Sequence, residues 1–445
     1  MIGRTLAAVS GLSRDLRTLF LTTLLLRAGT VAYPFLAAHL LLTGGLNTGR
    51  IGAIVSAFGV GALCADLAAG PLLGRFGARR TMLGGLLAQA LILPLVPQLH
   101  GAPALIAAVF FWGFAYEVFT PASYAATIDG SSPQDRKVAF SCNRLAINVG
   151  MGIGPAIGGM VFAVDPQALY WINAGAILAA AACLATRTRA RTLTGRPSAL
   201  AGTGRAQRRL VASTARQETQ FWTAVVVSLP IQLAFSLPMV LASTYIIVGL
   251  HLPSFWVGVV FTVNAAVIVL CEIPLNVAMA RLAHFPSLLI GYALTGAGFL
   301  CMGLATTGPT LVAATLVWTA GEMIVFPSLL TYVGALSAPD IRDRNMSLYS
   351  AGVNVAFIAA PQVALLLSGP AHPALPWTVA GSAVCLAFLL ILAARTSAAT
   401  WYEDPPAADT GGAPSATAPH TAPGSAPASP TLSDPPRPAP TESRP

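Results

Sequence analysis

Twelve apolar stretches of roughly 20 residues each divide this chain, and they restrict its fold more than any other feature. They fall at roughly 17–42, 51–73, 81–98, 102–127, 139–163, 167–186, 220–248, 255–280, 286–305, 309–336, 346–368 and 375–395. The hydrocarbon core of a bilayer is about 30 Å thick, and a helix of about 20 apolar residues crosses it. Only 9% of the residues are charged, against about 25% in soluble domains, so most of the surface cannot face water. Lipid offers backbone N–H and C=O groups no partners, which leaves helices as the economical spanning form. The stretches therefore predict an all-α membrane protein with 12 transmembrane helices.

The basic residues orient these helices. Lys137 is the only lysine beside 24 arginines. With the N-terminus inside, Arg50 is the only basic residue in the six outer loops. The inner side then receives Arg75, Arg79 and Arg80, the Arg136–Lys137 pair, Arg281, Arg342 and Arg344, and eight arginines within 187–219. This is the positive-inside pattern. It predicts a multi-pass protein of the cell membrane with both termini cytoplasmic. The net charge of +9 then reads as topology and lipid-headgroup contact rather than nucleic-acid binding. The first stretch follows Arg4, Arg14 and Arg17 and is too long for a signal peptide, so it counts as a span.

The chain repeats itself. A shift of about 206 residues lays Gly52 on Gly258, Asp66 on Glu272, Trp112 on Trp318, Pro121 on Pro327, Asn148 on Asn354 and Pro155 on Pro361. Matches among Trp, Pro and membrane acids at one offset predict a duplicated six-span unit, with a site near the midplane between the halves. The expected organisation is a first bundle at 1–186, a basic cytoplasmic linker at 187–219, a second bundle at 220–396 and a disordered cytoplasmic tail at 397–445. The tail is rich in Pro, Ala, Ser and Thr.

Two motifs carry a resemblance. The stretch "GPLLGRFGARR" (70–80) resembles the signature G-x-x-x-D-R-x-G-x-R-R of the major facilitator superfamily. Gly70, Arg75, Gly77, Arg79 and Arg80 match it, while Gly74 stands where the family has Asp. The resemblance implies a cytoplasmic gate between halves, here without the family's acidic partner. The second motif, "GMGIGPAIGG" (150–159), lies in an apolar run. In water an interior Gly costs a helix about 1 kcal/mol and a Pro about 3, but in lipid small residues let helices approach closely. Gly150, Gly154, Pro155, Gly158 and Gly159 resemble the span-five signature of the family's drug/proton antiporters. That likeness implies the major facilitator fold, with span five at the interface between two rocking halves and spans one, four, seven and ten lining the cavity.

Intramembrane charges are costly and mark function by default. Arg27 lies mid-span one, Glu117 mid-span four and Glu322 mid-span ten. The resemblance brings them to one vestibule with Gln232 of span seven, and Tyr116, Trp318 and Tyr33 are further cavity candidates. His39, Asn148, Asn264, Tyr349 and Asn354 are weaker ones. Burial favours a neutral carboxyl and a nearby guanidinium favours a charged one. Glu117 is expected to face Arg27, and Glu322, with fewer cationic neighbours, to carry the proton; a static Arg27–Glu117 staple remains the alternative. Asp66 and Glu272 are expected to be structural, pairing with Arg144.

No P-loop, H-E-x-x-H or G-x-S-x-G motif is present, and the six cysteines lie in apolar runs without C-x-x-C spacing. The chain is therefore not read as an enzyme, and no cofactor or metal is expected. The expected function is a secondary active transporter, a proton-coupled exporter of small amphipathic compounds working as a monomer by alternating access. A sugar or sugar-derivative exporter of the same fold and a non-transporting membrane sensor remain alternatives.

Overall fold

A computed structural model describes residues 13–43, 45–132, 136–187, 215–279, 282, 284–336, 342–369 and 372–394. The tail expected at 397–445 and most of the linker expected at 187–219 lie outside the described residues. Arg281 lies outside them too. Among the described residues regular structure is helical, apart from one isolated bridge between Gly369 and His372.

Among the described residues ten helical segments are long and apolar enough to cross a membrane. One of them, Thr48–Gln98, has 51 residues; at 1.5 Å per residue that is about 76 Å, too long for a single crossing. Its backbone breaks at Gly77 (φ 75°, ψ 160°), a conformation that glycine adopts without steric cost. It therefore supplies spans two and three. Arg342–Leu367 adds span eleven, which accounts for the twelve expected helices. Span one is Arg14–Thr43, span four Ala102–Gly130, span five Arg136–Val164 and span six Ala168–Arg187. Span seven is Ala215–Ser243 with a π-helical turn at Thr244–Gly249, and span eight is Phe255–Met279. Spans nine, ten and twelve are His284–Leu304, Gly308–Leu336 and Leu375–Ala394.

The glycine- and proline-rich stretch of span five is helical throughout, Pro155 included. Span one is not. Its first helix ends at Ala28, and the chain resumes a helical course only at Tyr33–Phe35. Between them the Ala32 N–H donates to Asn173 Oδ1 of span six at 3.3 Å.

Contacts follow the repeat. Gly85 of span three lies against Ala115 and Val118 of span four, and its mate Gly291 lies against Val325 of span ten. The halves meet along two antiparallel seams. On the seam of spans eight and five, Gly258 touches Ala156 and Ala265 touches Gly152. On the seam of spans two and eleven, Gly52 touches Gln362 and Gly59 touches Ile358. Each contact on one seam is the repeat mate of a contact on the other. Spans one and seven also join across the halves, where Ser243 Oγ donates to Pro34 O at 2.5 Å.

Candidate functional site

The break in span one positions Arg27. The guanidinium sits at the end of the first helix segment and is buried. It donates through Nη1 to the Tyr116 hydroxyl and through Nη2 to Thr120 Oγ1 at 2.9 Å. Its Cζ lies 4.6 Å from the Tyr116 ring centroid, within cation–π range. Among the described residues Arg27 and Glu117 do not form a direct ion pair. The expected pairing is thus replaced by hydroxyl contacts, because Tyr116 and Thr120 point from the same helix toward the guanidinium. Glu117 remains within electrostatic reach of Arg27 and shares a side-chain hydrogen bond with Thr120. Thr120 can accept from Arg27 and donate to Glu117 at once, so the two charges communicate through one hydroxyl.

Tyr33 lies against the rings of Phe58 at 4.1 Å and Trp112 at 5.9 Å. Among the described residues its hydroxyl is buried without a hydrogen-bond partner. Trp318 is likewise enclosed by Phe235 and Phe299. Both Trp112 and Trp318 are buried, so they pack within their own halves.

In the second half Glu322 is half-buried and accepts from Asn264 Nδ2 of span eight at 3.0 Å; that amide also contacts Thr319 Oγ1 at 3.0 Å. Sequence reasoning ranked Asn264 low. The signal it missed is that Asn264 stands one offset from Phe58, and Glu322 one offset from Tyr116. The same pair of spans therefore meets in both halves, with aromatic chemistry in one and carboxylate–amide chemistry in the other. Gln232 does not join Glu322; its Nε2 donates to the Tyr349 hydroxyl of span eleven at 2.7 Å.

Arg144 of span five crosses to Glu272 of span eight and forms an ion pair between the halves. Asp66 does not pair with Arg144, which corrects that part of the expected set: the guanidinium is taken by the nearer acid across its own seam. Arg144 also lies within electrostatic reach of Glu322 and of Tyr124, and Tyr124 within reach of Arg27, Glu117 and Asp66. The charges of the two halves are thereby linked through span five.

The glycines of span five explain how it fits. Gly150 lies against Arg27 and Ala28, Gly154 against the carbonyl oxygens of Arg27, Ala28 and Thr30, and Gly158 against Val31 and Phe35. Four residues apart, they form one face toward the break in span one. Gly152 and Gly159 face span eight instead, and their carbonyls accept from Thr262 Oγ1 at 3.1 Å and Ser254 Oγ at 2.6 Å. In the 70–80 motif, Gly77 makes the turn, and Arg79 Nη2 donates to Ala185 O at the end of span six, 2.7 Å away. This contact stays within the first half. Arg75 lies over the neighbouring Phe76 ring, and Gly70 has open space around it.

The sequence model of the Major Facilitator Superfamily matches residues 18–284 and 225–436. Relatives include the uncharacterized MFS-type transporter YqjV of Bacillus subtilis (strain 168), 21% identical over 334 residues, or 71% of this chain and 77% of the relative. The uncharacterized MFS-type transporter Rv2456c of Mycobacterium tuberculosis (strain ATCC 25618 / H37Rv) is 29% identical over 150 residues, 33% of this chain and 35% of that one. Among solved structures, the peptide transporter POT in complex with sulfate is similar with a TM-score of 0.71 at 17% identity, covering 88% of this chain and 98% of its own. The nucleoside transporter NupG is similar with a TM-score of 0.65 at 13% identity, covering 86% and 99%. A duplicated helical unit, two matched seams and these likenesses agree: the chain belongs to the Major Facilitator Superfamily and is a multi-pass secondary transporter of small molecules.

Proposed function

We propose that this transporter couples proton entry to the export of a small amphipathic compound across the cell membrane, as a monomer with both termini cytoplasmic. The halves rock about a midplane site, and Glu322 is the proton carrier. The observation that carries this reading is the setting of Glu322: half-buried in the middle of span ten, holding one amide donor, with no cation at ion-pair distance among the described residues. A carboxylate so placed is costly when charged. Taking up a proton relieves that cost, and a substrate or Arg144 approaching the group favours releasing it. Glu117, tied to Arg27 through Thr120, is the second group open to such competition. The likeness of span five to the antiporter signature supports export. The likenesses to POT and NupG are of fold, so the peptide and nucleoside of those names do not define the substrate here.

The test is Glu322→Gln in vesicles that hold a trapped pH dye and are given a cationic fluorescent compound. Gln preserves an acceptor for Asn264, so the fold is retained. Gradient-driven accumulation is expected to fall at least tenfold while exchange without a gradient persists. Unchanged gradient-driven transport in the variant overturns the assignment.

A further inference from the structure

Both seams between the halves carry a hydroxyl at the same repeat position, and only one of the two is paired. On the seam of spans eight and five, Thr262 Oγ1 donates to Gly152 O at 3.1 Å. The approach depends on the missing side chain, since a Cβ at Gly152 would lie 2.7 Å from Ala265 Cβ. On the seam of spans two and eleven the repeat mates are Ser56 for Thr262 and Ile358 for Gly152. Ile358 packs over Gly59, the mate of Ala265, with its Cγ1 3.1 Å from where a Cβ of that glycine would stand. A branched side chain thus occupies the place that is empty on the other seam. Among the described residues the Ser56 hydroxyl is buried without a hydrogen-bond partner.

At Ser56 the seam opens into a groove of about 600 Å³. Ser56, Ala57 and Val60 of span two, Phe110 of span four, and Ala359 and Gln362 of span eleven help to form its walls, so both halves line it. None of its lining residues is charged, and Ser56 and Gln362 are the polar ones among them. Gln362 lays its side chain over Gly52, one helical turn from Ser56. Water in such a space would lack partners along most of the wall. A bare acyl chain would leave the serine hydroxyl unpaired, which is costly for a buried polar group. The size of the groove and its few polar groups among apolar walls are those of a small-molecule site.

We infer that the groove at the seam of spans two and eleven binds a neutral small molecule with an apolar body and one carbonyl-type acceptor. The ligand's carbonyl takes the hydrogen bond of the Ser56 hydroxyl, as Gly152 O takes that of Thr262 on the other seam. The Gln362 amide is the second polar group within the groove. The absence of charge from the walls excludes an ionic head group here. None of the residues around Arg27 or Glu322 lines the groove, and binding in it does not rest on the export reading.

The test uses the full-length chain in lipid nanodiscs and benzophenone, whose ketone is both the acceptor and the group that light attaches to nearby C–H bonds. Mass spectrometry of the digested protein is expected to find saturable labelling on peptides that carry the groove residues of spans two, four and eleven. Phenyl benzoate, which keeps a carbonyl, should compete, and diphenylmethane, which lacks one, should compete far less. Ser56→Ala is expected to weaken labelling about threefold or more, the loss of one hydrogen bond, and to leave the melting temperature equal or raised because the hydroxyl had no partner. Ala359→Phe is expected to fill the groove and abolish the labelling. Four results overturn the inference: unsaturable labelling spread over all the spans, equal competition by the two competitors, wild-type labelling of Ser56→Ala, or wild-type labelling of a folded Ala359→Phe. Should Ala359→Phe fail to fold, Ser56→Ala decides alone. Photolabelling reads no transport, so a failure here is distinct from a failure of the Glu322 assignment.

Discussion

Spans five and eleven occupy matched places in the two halves, and three glycines that line one face of span five are replaced by alanines in span eleven. Gly150, Gly154 and Gly158 of span five have Ala356, Ala360 and Ala364 as their mates. The alanines are buried on a helix that packs against span seven, and span seven is continuous through the matching region. The glycines lie against span one, which is broken at that level. Without Cβ atoms span five comes close to backbone carbonyls that the break has released. Glycine is unfavourable in a water-exposed helix, yet here it permits a contact that no other residue allows. One copy of the duplicated unit has thus kept an ordinary helix pair, and the other holds an interrupted span beside a buried arginine.

Exchanging these faces should break the comparison most sharply. A Cβ at Gly150 would lie 2.6 Å from Arg27 Cβ and 2.9 Å from Ala28 N, and one at Gly158 would lie 2.8 Å from Val31 O. Overpacking of this kind costs about 1–3 kcal/mol per site. Converting all three glycines to alanine is expected to abolish a cooperative melt in detergent, or to lower its midpoint further than any other change considered. The reciprocal Ala360→Gly in span eleven should cost only about 1 kcal/mol. Equal losses on the two helices would show that the close approach of span five contributes no special stability.

The next effect concerns the seams. Arg144→Gln removes the guanidinium that Glu272 holds across the interface. A fully buried broken pair costs about 3–5 kcal/mol, but Arg144 is largely exposed, so at most about 1 kcal/mol is expected. Thermal melting of the purified variant reads this directly. A variant as stable as the wild type would mean that the ion pair serves only electrostatics, and that the two seams are equally strong.

Much of this architecture was legible in the sequence, because bilayer thickness and the positive-inside pattern act on composition directly. The twelve runs, the repeat offset and the glycine motif each follow from local chemistry. The direct partners of the charges were not legible. Whether Arg27 meets Glu117 or its neighbours Tyr116 and Thr120 depends on one helical position and on where span one unwinds, and no periodicity encodes that break. Asn264 was similarly hidden, since a single amide in an apolar run reads alike whether it packs or binds. Pairing Arg144 with Glu272 rather than Asp66 required knowing which seam Arg144 faces.

The smallest effect separates satisfied from unsatisfied polar groups. In the second half the Tyr349 hydroxyl accepts from Gln232; in the first half the Tyr33 hydroxyl is buried without a partner among the described residues. Removing one member of a buried hydrogen bond costs about 1 kcal/mol or somewhat more, because the other is left unsatisfied, whereas removing a hydroxyl that had no partner costs little. Tyr349→Phe is therefore expected to lower the melting midpoint by a few degrees, and Tyr33→Phe to leave it unchanged or slightly raised. If Tyr33→Phe were the more damaging of the two, its hydroxyl would have a partner in the working protein. The first half would then match the second in holding a satisfied buried tyrosine hydroxyl.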